Sequence, residues 1–400
     1  MQTKTVITRL SELPQAPTTI GTMAWNQTGD WRYVTPLVAD KLAPCSQNCP
    51  AGIPIPRHLG DLTRGDAEGA LVRLMALNPM PGLTGRLCYH PCQTKCVRRK
   101  IDRAISIQEV ERFLGDSAAG AAMARNDAKD RRVVIIGSGP LGLACAFFLG
   151  CQGYGVTVLD PAGAPGGALL ALLPEKLEPQ VLSREIDRLL RMADIRLETG
   201  AVVDFDRLGE LAPKGDLVIL DPTGLPADFC PPGEAAACNP FGDDAVAGAI
   251  VSLQLPKNLA PFRAPMIAHY IAAGRLLAKK AAENLRGEGG AERAPEPPTQ
   301  AVNPENIKIA RFGAAGSAEE EGPGPETARD KMWAVKEAGR CLSCGTCNLC
   351  LQCVSYCPDA SILPARGKAT VAVDLDHCKG CGICAYECPR GVITMEDMSV

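Results

Sequence analysis

The chain has 400 residues, 46% of them apolar but only 4% aromatic, and a formal net charge of −3. That length holds two or three domains, and the near-neutral charge gives no electrostatic basis for a nucleic-acid or other polyanionic partner. The opening "MQTKTVITRLSELPQAP" lacks the basic-then-apolar order of a signal peptide, and the most apolar stretch is broken by glycines. Neither export nor a membrane span is therefore expected, and a cytoplasmic location is. In such a chain, nineteen cysteines point to metal or iron–sulfur ligation rather than disulfides, because the cytosol keeps thiols reduced.

In chain order, residues 1–40 show no clear periodicity and read as an amino-terminal arm. Residues 41–130 read as mainly helical, since "RHLGDLTRGDAEGALVRLMALNP" and "ISIQEVERFLGD" carry apolar residues at helical spacing. Residues 131–287 open with strand, glycine turn, helix and strand. They continue through an amphipathic helix, "EPQVLSREIDRLLRMA", and the strands "DIRLETGAVV" and "GDLVIL" to a long closing helix. Residues 288–328 are rich in Gly, Pro, Ala and Glu and read as a linker. Residues 329–400 are short, dense in cysteine and internally repeated. The expected class is multi-domain: an α domain, a Rossmann-like α/β domain and a small α+β domain.

The repeat sets Cys347, Cys350, Cys353, Cys357 and Pro358 against Cys378, Cys381, Cys384, Cys388 and Pro389. In C-x2-C-x2-C-x3-C-P runs the first three thiolates hold one [4Fe–4S] cube and the fourth crosses to the other. One cluster is therefore assigned to Cys347, Cys350, Cys353 and Cys388, and a second to Cys378, Cys381, Cys384 and Cys357. Residues 329–400 resemble the bacterial dicluster ferredoxin module of the delta chains of 2-oxoacid:acceptor oxidoreductases. Cys341 and Cys344, in "EAGRCLSC", stand outside both runs.

Nearer the amino terminus, "PCSQNCPAGIPI" supplies Cys45 and Cys49, and "GRLCYHPCQTKC" supplies Cys88, Cys92 and Cys96. With "NPMPGLTGRLC" and "ISIQEVERF", this region resembles the helical iron–sulfur domain of the glutamate synthase small subunit and of dihydropyrimidine dehydrogenase. The resemblance implies two [4Fe–4S] clusters. One would use Cys49, Cys88, Cys92 and the non-cysteine ligand Glu111. The other would use Cys45, Cys96 and an upstream CxxC pair that this chain lacks. In the family that pair lies in a segment like "EA-x-R-C-x-x-C", which occurs here only at 337–344. The expectation is that Cys341 and Cys344 complete the set with Cys45 and Cys96, either by folding back or from a second copy of the chain. The alternative is one cluster on the five amino-terminal cysteines, with Cys341 and Cys344 unliganded.

In "RRVVIIGSGPLGLACAFFLGCQGYGVTVLD", Gly137, Gly139 and Gly142 form a G-x-G-x-x-G turn, and Asp160 ends the next strand. Such glycines admit a pyrophosphate at a helix amino terminus, and the acid bonds a ribose hydroxyl. Resemblance to the glutamate synthase small subunit implies FAD at this loop, with Gly166 and Gly167 of "GAPGG" beside it. Leu141 stands where that family has a small residue, and "LDPTG" at 220–224 where it has "ATG". "FGDD" at 241–244 is the nearest match to its later "GD" turn. After "PPGE" at 231–234 only about 40 residues precede "IAAGR", too few for the family's NADPH domain when one βαβ unit takes ~30. A truncated Rossmann-like FAD domain without its own NAD(P) site is expected.

The four histidines, 58, 90, 269 and 377, form no nucleophile–base–orienter set, so no catalytic residue is assigned. The reading is an electron-transfer subunit serving catalytic oxidoreductase subunits, with a thiamine-dependent 2-oxoacid oxidoreductase and ferredoxin as candidate partners. Two alternatives are a self-sufficient NAD(P)H:ferredoxin-type flavin enzyme and an iron–sulfur scaffold with a vestigial flavin site.

Overall fold

The computed structural model describes residues 27–117, 123, 125–127, 129–201, 217–221, 250–251, 262–286, 300–313 and 331–398. It divides into one unit of Asp40–Thr346 and another that joins Met1–Ala39 to Cys347–Val400. The first strand, β1 (Val34–Val38), belongs to the latter unit.

The Asp40–Thr346 unit begins with six helices: α1 (Pro44–Gln47), α2 (Ile55–Thr63), α3 (Ala67–Met75), α4 (Pro81–Leu87), α5 (Pro91–Thr94) and α6 (Ile107–Ser117). Proline opens the first turn of α1, α2, α4 and α5, where its missing N–H costs nothing. Asp66 caps α3 by accepting from Gly69 N at 2.8 Å. Leu59, Leu62, Leu71, Leu74, Leu83, Val110 and Leu114 bury a common core. Helices α4 and α6 touch backbone to backbone: a Cβ on Gly115 would collide with Gly82 N, and one on Gly85 would lie 2.6 Å from Arg112 N. This close crossing brings Glu111 to the end of α4, where Cys88 follows.

The chain then forms β2 (Arg132–Ile136), α7 (Pro140–Cys151), β3 (Gly155–Asp160), α8 (Pro179–Ala193), β4 (Arg196–Thr199), β5 (Leu217–Leu220), β6 (Ile250–Val251) and α9 (Ile267–Arg286). The strands make one parallel sheet in the order β4-β3-β2-β5-β6. The runs "VVII" and "LVIL" are continuously apolar and buried along their whole length, as the strands of a parallel sheet ordinarily are. Helix α9 lies on α7 at Gly274, whose lack of a side chain admits the carbonyl of Leu141. The "PPGE" and "FGDD" stretches, and with them the expected absence of a second nucleotide domain, lie outside the described residues.

Helix α10 (Lys331–Gly339) returns to pack on α2 and α6. Residues 300–313, within the segment read as a linker, are also packed: Leu42 bridges Ala301, and Val302 and Ile307 share an apolar cluster with Ala43, Val97, Leu342 and Cys344.

In the other unit, β1 pairs antiparallel with β9 (Ile393–Asp397), from Val34↔Asp397 to Val38↔Ile393. A second hairpin pairs β7 (Ile362–Pro364) with β8 (Val371–Val373), and α11 (Gln352–Ser355) and α12 (Ile383–Glu387) each follow a cysteine pair. Gly29 N donates to Asp376 O at 2.9 Å and Arg32 Nη1 to Cys378 O at 3.1 Å. Residues 28–38 of the segment read as an arm are thus built into this unit. Among the described residues no helix is long and apolar enough to cross a membrane.

Candidate iron–sulfur and nucleotide sites

The carboxy-terminal thiols fall into two sets. Cys347, Cys350, Cys353 and Cys388 ring a cavity of about 360 Å³ with Val371, Val392 and Ile393 in its wall. Cys357, Cys378, Cys381 and Cys384 ring another of about 300 Å³. In each set the fourth cysteine comes from the other sequence run. Burial, then the neighbouring thiols, push Cys353 up to about 12 and Cys384 up to about 11. Buried thiols this close ionise together only against a cation.

A third set includes both cysteines of "RCLSC". Cys45, Cys96, Cys341 and Cys344 line one cavity of about 350 Å³, walled by Ile55, Leu59 and other apolar side chains. All four come from one chain and one unit. Burial first, and then the thiols of Cys341, Cys344 and Cys96, raise the Cys45 thiol well above its ordinary value. Ser343 N donates to Cys341 Sγ at 3.4 Å. The pair is held by a clasp that the sequence reading missed. The Glu337 carboxylate accepts from Arg103 at 2.9 and 3.2 Å, from Arg340 at 2.7 and 2.9 Å and from Ser106 N at 2.7 Å. Arg340 also donates to Asp102 at 2.9 Å and to Arg103 O at 2.7 Å, and Arg98 donates to Arg340 O at 3.3 Å. In "EAGRC" the glutamate and arginine, three residues apart, dock the cysteines that follow.

The fourth set is Cys49, Cys88, Cys92 and Glu111. Burial raises Cys49 to about 11 and Cys88 to about 12, with the Glu111 charge adding to each. Cys92 is raised by burial, then by Glu111, Cys49 and Cys88. Asn78 donates to Thr84 Oγ1 at 2.7 Å, and Thr84 Oγ1 donates to Glu111 Oε2 at 3.1 Å. His90 N donates to Cys88 Sγ at 3.4 Å.

Backbone conformation concentrates at these loops. Of the six described non-glycine residues with positive φ, five lie beside ligand cysteines: His90, Ser343, Leu349, Leu351 and Ala360. Left-handed residues turn successive N–H groups inward, as an anionic centre requires. Among the described residues no three His, Cys, Asp or Glu converge as a single ion needs; in the first three sets the cysteines line a cavity instead. Soft thiolates around a dry cavity of this kind fit [4Fe–4S] cubes.

At the glycine loop, Gly137 takes φ +100 and Gly139 N-caps α7 with no side-chain cap hydrogen bond, and a helix amino terminus behind such a loop is where a phosphate is bound. A Cβ on Gly142 would lie 2.6 Å from Gly137 O and from Asp221 Oδ2, which fits the helix–strand packing role of a third glycine. Asp160 is fully buried. It accepts from Ser138 N and Ala162 N, each at 2.8 Å, and from Ser138 Oγ. Gly166 N donates to Ser138 Oγ at 2.8 Å. The carboxylate braces the glycine loop against the "PGG" loop, and both of its oxygens are engaged by protein donors. Gly166 and Gly167 adopt φ +129 and +52. The loop fits the pyrophosphate of a dinucleotide, while the acid is committed to the loop itself.

Residues 39–123 match the family described as dihydropyrimidine dehydrogenase domain II, 4Fe-4S cluster. Residues 371–394 match the 4Fe-4S binding domain and residues 135–170 the NAD(P)-binding Rossmann-like domain. The NADPH-Fe(3+) oxidoreductase subunit beta of Geobacter sulfurreducens is 35% identical over 188 residues, 45% of this chain and 28% of that protein. The glutamate synthase [NADPH] small chain of Bacillus subtilis is 36% identical over 181 residues, 44% of this chain and 36% of that one. The chain resembles the glutamate synthase small subunit. The NADP(+)-dependent formate dehydrogenase subunit beta of Moorella thermoacetica is 29% identical over 189 residues, 40% of this chain and 27% of that one. The matched stretch spans about a third or less of these relatives. Two separate iron–sulfur matches within one chain support [4Fe–4S] clusters in both regions.

Proposed function

We propose that the chain is an electron-transfer subunit of a larger oxidoreductase, holding four [4Fe–4S] clusters and FAD and exchanging electrons with catalytic partner subunits. The observation that carries this reading is the gathering of Cys45, Cys96, Cys341 and Cys344 around one apolar cavity, which completes a fourth ligand set from distant sequence. Clusters of this kind supply one-electron transfer without substrate chemistry, and the protein tunes their potentials by burial and N–H···S bonds. Here the thiolates would hold iron, the apolar walls would exclude water, and the amides of His90, Ser343 and Ser361 would donate to ligand sulfurs. Only Gly345 and Thr346 separate Cys344 from Cys347, so one short peptide joins two ligand sets. FAD at the Gly137 loop would exchange electron pairs for single electrons. The ferredoxin module's resemblance favours a 2-oxoacid oxidoreductase as partner.

The test is the Cys341→Ser, Cys344→Ser double variant, expressed as the full chain. It should lose about four irons per chain while the spectra of the carboxy-terminal clusters persist. Unchanged iron would sink the four-cluster reading. FAD should be released on denaturation.

A second reading draws on the NADPH in the names of the Geobacter sulfurreducens and Bacillus subtilis relatives. Under it the chain oxidises NAD(P)H itself. Stoichiometric bleaching of the isolated chain's clusters by NAD(P)H would select this reading.

A further inference from the structure

Arg275 is a half-buried cation with no carboxylate beside it. It lies on α9 next to Gly274, whose close seat on the first turn of α7 fixes where the side chain leaves the helix. From there the guanidinium reaches the helical domain. Nη1 donates to Leu77 O at 3.4 Å, and a Cβ added at Gly52 would lie 3.5 Å from Nη2. Among the described residues no Asp or Glu pairs with it. One long bond to a neutral carbonyl compensates poorly for lost water around a charge. Burial draws the guanidinium below its ordinary value and the Cys49 thiolate draws it back. Arginine stays protonated throughout.

The backbone under the guanidinium is the turn that holds Cys49. Gly52 N donates to Cys49 O at 2.8 Å, and Gly52 takes φ +67. The N–H groups of Ile53, Ala51 and Gly52 all favour the thiolate of Cys49 over its thiol. With no side chain at residue 52, nothing separates the cation from this turn. The contrast is Arg98, which lines the Cys45 cavity but is neutralised by Asp102 through two hydrogen bonds.

We propose that Arg275 tunes the centre formed by Cys49, Cys88, Cys92 and Glu111, its uncompensated positive charge on the Cys49 turn making that centre easier to reduce. This rests on the reading of those four residues as one cluster site. Reduction adds one electron, supplied by a low-potential reductant such as dithionite, and makes the cluster one charge more negative. No bond forms or breaks and no proton is needed. A fixed cation nearby stabilises the more negative state, and because arginine does not titrate, the stabilisation is constant across working pH. Three thiolates and a carboxylate supply the opposing negative charge, so Arg275 and the cluster compensate each other across two regions of the fold.

The test is a dithionite titration of the full-length protein, followed by electron paramagnetic resonance at the signal that Cys49→Ser removes. Arg275→Gln should lower the reduction constant of that signal by about tenfold or more, ~59 mV per tenfold for a one-electron couple. Iron content should be unchanged, and the carboxy-terminal clusters should keep their midpoints. Arg275→Lys should restore most of the shift, since an ammonium keeps the charge. An unmoved midpoint in iron-replete Arg275→Gln, or an equal shift in Arg275→Lys, would overturn the tuning role and leave the cluster reading intact. Should Arg275→Gln lose iron, Arg275→Met keeps the apolar stem and serves as the neutral variant. Loss of iron from this centre in both would make Arg275 a structural tie and overturn the proposal. If Cys49→Ser removes no signal and no iron, the cluster reading itself fails.

Discussion

Arg103 and Glu337, 234 residues apart, meet in a two-pronged ion pair of 2.9 and 3.2 Å. Glu337 is 2% exposed, and Arg340 shares its carboxylate. Removing Glu337 leaves Arg340 with Asp102 as its carboxylate partner and Arg103 42% exposed, so the cost falls below the ~3–5 kcal/mol of a fully buried pair. Glu337→Ala should still release the 337–344 segment and with it Cys341 and Cys344. The expected result is a loss of about four irons per chain and a lower melting temperature. Arg103→Lys should be milder, because an ammonium keeps the charge but loses the fork. Full iron in Glu337→Ala would show that the cysteines dock without the clasp.

Gly115 permits the contact that sets Glu111 beside Cys88. A valine there would press on the backbone of Gly82, which cannot yield as a flexible side chain does. Overpacking costs about 1–3 kcal/mol, and the helices can relieve it only by separating. Gly115→Val should weaken the Cys49, Cys88, Cys92 and Glu111 set selectively. Iron analysis should fall while the Cys347–Cys350–Cys353–Cys388 spectrum holds. Equal loss from every cluster would point to global unfolding instead.

What the sequence made legible was local. Cysteine spacing at two-residue intervals fixes which thiols can share a cube, so the carboxy-terminal sets follow from the motif alone. The glycine turn was legible because φ +100 at Gly137 needs glycine. Tertiary partnerships were not. Nothing in "EAGR" states that its glutamate meets Arg103, since ion pairs leave no periodic trace. Strand β1 was hidden because its partner, β9, lies at the other end of the chain. Asp160 reads as a ribose acid by position, yet its partners are set by Ser138, a residue the fingerprint leaves unspecified.

His58 lies fully buried on α2, and neither ring nitrogen has a hydrogen-bond partner. Burial lowers it from 6.5 to about 4, against the opposing pull of Glu111 and Asp61. Between those values the unfolded chain binds the proton and the folded chain does not. Stability therefore rises with pH across this window and is lost as pH falls from 6.5 towards 4, by about 3 kcal/mol in full. In His58→Phe the difference in melting temperature between pH 4.5 and 6.5 should shrink. An unchanged pH dependence would assign the acid sensitivity to other groups.

Asp160 offers a test that separates loop bracing from nucleotide contact. Its two oxygens accept from three donors: Ser138 N, Ser138 Oγ and Ala162 N. In Asp160→Asn one oxygen becomes an NH2 group. Ser138 Oγ can rotate to suit, but a backbone N–H cannot, so at least one buried donor faces another donor. An unsatisfied buried group of this kind costs about 1–3 kcal/mol. If the carboxylate braces the loop, Asp160→Asn should lower the melting temperature of flavin-free protein as much as that of the loaded form. If it served a ribose hydroxyl, the amide would still accept a hydrogen bond there, and the loss would appear only in the loaded protein. The structure predicts the first outcome, with FAD retention falling as a consequence of a loosened loop. Thermal unfolding of both forms, alongside FAD release, distinguishes the two.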